Sequence, residues 1–249
     1  MNGSLVTGAH YLVRGFHALR QRKVWPFVIL PLCINLIIFI LLSQYLITQG
    51  QYWVTQATGW LPDWLDFLGK LIWLITSLLI LLIWVFCFTL VASFIASPFY
   101  GFLSAVVQTQ YDGSSPANNR SLWQEVPHAL GRELSKYAYY LPRLLLLFLL
   151  SWIPPLTLVA PFLWFFFAAW MLAIQYLDYP ADNQAQPLST MIATMKNQRL
   201  TYLGFGGLIS IGMMIPLINL IVMPASVAGA TLLYLDQNTT SSLEPYHGQ

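Results

Sequence analysis

Charge is scarce in this chain. Only 8% of its 249 residues are Asp, Glu, Lys or Arg, whereas 57% are hydrophobic, and the mean hydropathy is +0.64. A soluble globular domain carries about 25% charged residues. A body of 28.3 kDa with so few charges cannot present a water-facing surface all round, so most of it must face lipid or other buried chain. Cysteine is scarcer still. Cys33 and Cys87 are the only two, each inside an apolar run. That pattern excludes a disulfide framework and a cysteine metal site, and leaves both as small buried hydrophobes. The net charge of +2 is too small to suggest nucleic acid. No His-x-x-x-His pair, Gly-rich phosphate loop or Gly-x-Ser-x-Gly elbow occurs, and the four His residues are scattered. Neither catalysis, nor a metal, nor a cofactor is expected. No cleavable signal is expected either, because the first apolar run, from Phe27, lasts 22 residues against about 7–15 for a signal-peptide core.

What is abundant is apolar length and interfacial aromatic residues. Ten Trp and thirteen Tyr suit a polytopic protein with two membrane–water interfaces. The expected fold is an all-α integral membrane protein, with residues 1–249 forming a single membrane domain. Residues 4–24 read as an interfacial helix. Leu5, Ala9, Leu12, Phe16 and Leu19 recur on one face, and His10, Arg14, His17 and Gln21 form a polar stripe opposite. Residues 27–48 reach roughly 33 Å as a helix, enough to cross a hydrocarbon core of about 30 Å. A Trp-rich loop over 49–67, with Trp53, Trp60 and Trp64, is expected to cap that span. Residues 71–95 form a second long span without a charge, after which Pro98 bends or ends the helix. Residues 101–143 make the largest polar segment, with a helix from about Leu122. Its expected apolar stripe is Trp123, Val126, Leu130, Leu134, Tyr137 and Leu141, and its basic stripe is His128, Arg132 and Lys136.

Residues 144–177 and 203–235 are apolar but broken by proline. The leading arm 144–153 reaches only roughly 15 Å before Pro154 and Pro155, and the arm 203–215 stops at Pro216. Two readings are open: helical hairpins that enter and leave on one side, or ordinary kinked helix pairs. Interrupted helices at membrane depth point to transport pathways. The breaks "IPPLTLVAP" and "IPLINLIVMP" start 62 residues apart and resemble a weak internal repeat. Between them, Leu188, Met191, Ile192 and Met195 make one face of a short interfacial helix that Pro187 would start.

With two full spans, ten of the eleven Lys and Arg fall on one side, and only Lys70 on the other. The positive-inside rule assigns that basic side to the cytoplasm. The hairpin and kinked-pair readings give the same side, because an even number of crossings preserves it.

Polar groups near membrane depth are the functional candidates. Asn35 and Asn219 either line a pathway or make helix–helix hydrogen bonds. Glu133 sits on the edge between the apolar and basic faces of its helix, and Arg132 beside it either points into a pore or reaches water. Arg20, Arg22 and Lys23 precede the first span within four positions. They either only set topology or meet an anion at a helix N-terminus.

Several strings together resemble the CysZ family of bacterial sulfate transporters: "FVILPLCINL", "ASPFYGFLSA", "KYAYYLPR", "WMLAIQYLDYPADN" and "MIPLINLIVMPASVAGAT". They lie in the family's order over nearly the whole chain, and "WMLAIQYLDYP" is the most specific. The resemblance implies sulfate uptake across the bacterial inner membrane for cysteine biosynthesis, by a homo-oligomer that is not ATP-driven. It also implies two long transmembrane helices plus two short intramembrane helical hairpins. A Gly-hydrophobic-Arg-Arg sulfate motif commonly precedes "FVILPL" in that family. Here those positions read Lys23, Val24, Trp25 and Pro26. The sulfate site is therefore expected at Arg22, Lys23, Val24 and Trp25, with Arg22 and Lys23 supplying the displaced charge. The family's acidic residues after "PF-G" are replaced by Ala105 and Gln108. Arg132, Glu133 and Arg143 fit the family pattern, and Arg132, Glu133, Asn35 and Asn219 are the expected pathway residues. The competing class is a non-transporting membrane scaffold, whose interfacial helices and aromatic belts would look alike.

Overall fold

Long uninterrupted apolar runs give long helices. The computed structural model describes residues 3–59, 66–117 and 121–242, and among these every regular element is helical. The order is α1 (Leu5–Ala18), α2 (Trp25–Thr58), α3 (Asp66–Asp112), α4 (Leu122–Leu150), α5 (Ala160–Asn183), α6 (Leu188–Met195), α7 (Arg199–Met213) and α8 (Pro216–Ser242), with single 3-10 turns at Pro154–Leu156 and Lys196–Gln198. Three helical segments are long and apolar enough to cross a membrane: Trp25–Gly50, Ala160–Asn183 and Ile218–Asn238. A further apolar stretch, Gly69–Val85, lies within α3.

Several boundaries differ from expectation. α2 runs on through Trp53 to Thr58, so half of the expected Trp-rich loop is helix; Trp60 and Trp64 lie outside the described residues. Pro98 lies inside α3 without ending it. It takes only one donor from the ladder, and the apolar run on both sides keeps the helix going. The arm 144–153 is not a separate element but the apolar end of α4, which begins at Leu122. The two proline breaks do end helices: α4 stops at Leu150 and α7 at Met213. Pro216 then starts α8, at the position where a missing N–H costs least. Pro187 caps α6 from outside rather than forming its first turn.

The chain divides into two compact units: residues 1–28 with 97–249, and residues 29–96. The smaller unit is an antiparallel pair, since Asn35 meets Ala92 and Phe39 meets both Phe88 and Trp84. Leu36, Ile37, Leu41, Leu78, Leu82 and Ile83 are all exposed on it, as lipid-facing residues would be. Cys33 and Cys87 are exposed too, contrary to the expected burial. With an apolar medium outside, a thiol has no reason to turn inward.

In the larger unit α1, α5, α7 and α8 pack together. Backbone contact is the cause. A Cβ on Gly8 would lie 1.8 Å from the Thr201 carbonyl oxygen, and one on Gly15 would lie 2.0 Å from that of Ala225. Small residues permit such approach. The polar stripe of α1 faces out as expected, with His10, His17 and Gln21 exposed. Its buried face is Gly8, Tyr11, Leu12 and Gly15, rotated from the expected stripe, and Leu5 is exposed.

Candidate functional site

The junction before α2 holds the basic cluster. Gln21 to Val24 form a turn, and the Val24, Trp25 and Phe27 N–H groups donate to the Gln21, Arg22 and Val24 carbonyls at 3.1, 3.4 and 3.1 Å. Pro26 has no N–H. The donors nearest the helix start are therefore spent locally, which weakens a backbone anion site there. The side chains are better placed. Arg20, Arg22 and Lys23 are exposed, and none forms an ion pair among the described residues. Val24 is fully buried and cannot touch a ligand, whereas Trp25 is half exposed. Gln21 lines a polar recess of about 300 Å³ with Arg14, His17, Gln110 and Tyr111. Two of its lining residues, Arg14 and Tyr111, donate to Asp236 at 2.7 Å each, and Tyr11 donates to the same carboxylate at 2.8 Å. Burial, then the bond to Asp236, pushes the Tyr11 hydroxyl up to about 12.

The second cluster is buried. α4 turns its basic stripe inward and its apolar stripe outward, the reverse of a soluble helix. Trp123, Leu134 and Leu141 are exposed, while Glu133 and Lys136 are buried. Lys136 Nζ donates to Glu133 Oε1 at 2.7 Å and lies 3.3 Å from Asp178 Oδ2. It also sits 5.2 Å from the centre of the Tyr179 ring. Arg132 is held by Asp178, at 3.0 Å through Nε and 2.5 Å through an outer nitrogen, and by the Gln186 carbonyl at 3.0 Å. Asp182 lies 3.4 Å from Arg132 and 2.8 Å from His128. Ser97 and Gln175 each donate to Glu133 at 3.0 Å. Burial pushes the Lys136 ammonium down, but Asp178 and Glu133 outweigh it and hold the group above its ordinary value. A buried charge without such partners would cost several kcal/mol.

Arg132, expected to face a pore or water, thus meets Asp178, Asp182 and Gln186, and Glu133 beside it meets Ser97, Lys136 and Gln175. Lys136, Gln175, Asp178 and Asp182 belong to the same network and were not among the expected site residues. Their signal lay in the sequence: Gln175, Asp178 and Asp182 all fall within "WMLAIQYLDYPADN", where three polar residues interrupt an apolar helix.

The two asparagines lie elsewhere. The Asn35 side-chain N–H points to the Ala92 carbonyl at 3.5 Å, and its Oδ1 is buried without a partner among the described residues. Asn219 Oδ1 is likewise buried and unpartnered. Gln108, standing where the resemblance places an acid, is fully buried and donates to Ser114 at 2.9 Å.

The sequence pattern of a family described as sulfate transporter CysZ/etoposide-induced protein 2.4 matches residues 11–224. The chain is 41% identical to a protein of Pseudomonas paraeruginosa named sulfate transporter CysZ, over 96% of this chain and 98% of that protein. It is 40% identical to proteins of that name from Pseudomonas aeruginosa, over 96% of this chain and 98% of the relative, and from Pseudomonas syringae pv. tomato, over 100% of both.

Proposed function

The chain belongs to the sulfate transporter CysZ/etoposide-induced protein 2.4 family, and from that membership we propose that it carries sulfate across the bacterial inner membrane as a source of sulfur for cysteine biosynthesis. The observation that carries this reading is similarity of about 40% identity over the full length to proteins named for that transport. No catalytic step is part of it.

The arrangement proposed is one membrane domain, working as a homo-oligomer, with α2 and α3 as the long spans. The helices on either side of Pro154 and of Pro216 then form two hairpins that dip into the membrane and return. Exposed apolar residues at the first break, Trp152 and Leu158, support a tip in lipid rather than water.

Sulfate meets Arg22 and Lys23, beside the polar recess, at the basic mouth of the route. Guanidinium and ammonium groups suit a tetrahedral dianion. Further in, Arg132 and Lys136 are occupied by Asp178 and Glu133. A sulfate dianion carries the charge of those two carboxylates together and competes with them for the two cations. Asn35 and Asn219, each with a buried oxygen that has no partner among the described residues, are the other proposed pathway groups. Sulfate carries two charges, and an inside-negative potential opposes its uptake by roughly 2.3 kcal/mol per charge per 100 mV. Net import therefore requires consumption inside or coupling to another ion.

Radiolabelled sulfate flux into proteoliposomes tests the reading against a scaffold role. Flux well above that of empty liposomes is expected; equal flux would sink the proposal. In the same vesicles, Arg22→Gln with Lys23→Gln is expected to weaken sulfate binding severalfold. Unchanged affinity would reduce the pair to topology signals.

A further inference from the structure

A second cationic cleft lies away from the groups assigned to sulfate. It encloses about 350 Å³ and is lined by Tyr139, Trp170, Lys196, Arg199 and Leu203. Three elements build it: α4, α5 and the turn that opens α7. Lys196 and Arg199 are exposed, and neither has an ion pair among the described residues. The Arg199 Nε–H donates to the Lys196 carbonyl at 3.2 Å, which tethers one end of its guanidinium and leaves the other nitrogens to meet a ligand. A third cation, Arg143, stacks 3.6 Å above the Tyr139 ring.

The position is as informative as the charge. Arg143 is the last charged residue of α4 before the run Leu144–Leu150, and Arg199 is the first residue of α7, with no further charge to its end. Both therefore mark the level at which helix passes from water into hydrocarbon. Trp and Tyr gather at that level, and here one of each walls the cleft. Below it the outward residues are apolar: Leu144, Leu163, Phe166 and Leu200 are all exposed. A ligand here meets cations at its head and hydrocarbon along its tail. All three cations lie on the basic side of the chain, which the positive-inside rule faces toward the leaflet rich in anionic lipid.

We propose that this cleft binds the phosphodiester headgroup of an anionic phospholipid. Lys196 and Arg199 hold the phosphate, Trp170 and Tyr139 pack against the glycerol region, and the acyl chains run along α5 and α7. The proposal needs only the membrane location, not sulfate transport.

The test is a titration of purified protein in detergent, without sulfate, following melting temperature and lipid adducts by native mass spectrometry. Phosphatidylglycerol is compared with phosphatidylcholine of the same chains, and with sodium phosphate and sodium sulfate alone. Phosphatidylglycerol is expected to raise the melting temperature where phosphatidylcholine does not. Removing two cations by Lys196→Gln with Arg199→Gln is expected to weaken that effect about tenfold or more, while Arg20→Gln leaves it intact. Phosphatidylcholine equal to phosphatidylglycerol, or an unaltered titration in the double variant, would overturn the proposal. So would free phosphate or sulfate that reproduces the shift and competes with lipid, since the occupant would then be a soluble anion. The single variants K196Q and R199Q give the same readout should the double variant not be isolated. Because flux is not measured, failure here leaves the transport reading untouched.

Discussion

Lys136 shows how a single residue can be wrong for its helix and right for its fold. Its side chain is 1% exposed, yet its ammonium group touches Glu133, Asp178 and the Tyr179 ring. Replacing it with Met leaves Glu133 without a cation, while Asp178 keeps Arg132, and breaking a buried pair from one side costs about 3–5 kcal/mol. The melting temperature of K136M should fall by roughly 6–20 °C. Adding E133Q should recover part of that loss, because it removes the carboxylate left uncompensated. Tyr11 carries a different dependence. Its folded value, raised to about 12 by burial and by Asp236, exceeds the ordinary 10.0. Between these values the folded chain holds a proton that the unfolded chain has lost, so stability falls as pH rises. The contribution is complete below about pH 10 and gone by about pH 12. Alkaline melts should steepen over that window, and Y11F should flatten its share, because Phe has no proton to lose. Of these partners only Glu133, three positions back on the same helix, could be read from spacing. The sequence shows that Lys136 is on the basic face, but its carboxylate at Asp178 is 42 positions away, and only the packing of α5 on α4 brings them together.

Helix existence was the most legible level of organisation, and helix orientation the least. Periodicity finds α1 and α4 because an apolar stripe and a polar stripe alternate. It cannot say which stripe faces protein, since that depends on the outside medium. On α4 the carboxylates of α5 draw Arg132 and Lys136 inward, and Trp123 and Leu134 are left facing out. On α1 the polar stripe stays outside, because its other side is occupied by α7 and α8. Glycine sets that side. Gly8 and Gly15 lie two turns apart on one face, and the reading by hydrophobic type passed over them because glycine adds nothing to a hydropathy count. Their role is measurable. Gly15→Val would press a side chain into the Ala225 carbonyl and the Gly229 backbone. No rotamer avoids main-chain atoms, so the helices must separate and lose the Leu12 and Tyr11 packing. G15V should lower the melting temperature as much as a large core truncation does, by about 2–5 kcal/mol in unfolding free energy. The same change at exposed Val13 to Thr should do almost nothing. If both variants melt alike, α1 is not held by backbone contact.

At the scale of the whole molecule the open choice is how many times the chain crosses the membrane. α5 and α8 contain segments of 24 and 21 residues that are long enough to cross, so length permits ordinary spans. Depth argues otherwise. From Arg143, the last cation of α4, to the end of that helix at Leu150 is seven residues, or roughly 10 Å of rise. An arm of that reach enters a hydrocarbon core of about 30 Å and stops well short of the far side. The chain then turns through Trp152 to Leu158, and α5 carries it back to Asp178 and Asp182, which pair with Arg132 and His128 on the same helix it left. A segment that starts and finishes on one charged network has returned to the side it came from. On the proposed re-entrant reading the break sits at mid-depth, where its exposed Trp152 and Leu158 would meet lipid and where the 3-10 turn at Pro154–Leu156 spends the free backbone donors locally. Introducing Cys at Thr157, after replacing Cys33 and Cys87 by Ser, gives a direct check in intact cells. A membrane-impermeant maleimide added from outside should leave T157C unlabelled while labelling a Cys placed at Lys70, the one cation on the other side of the charge count. Labelling of both would mean that α4 and α5 cross as a pair. The network of Arg132, Lys136, Glu133, Asp178 and Asp182 would then lie at the base of a crossing pair rather than of a re-entrant loop. The proposed route for sulfate would need only the loops, not the cations, to change sides.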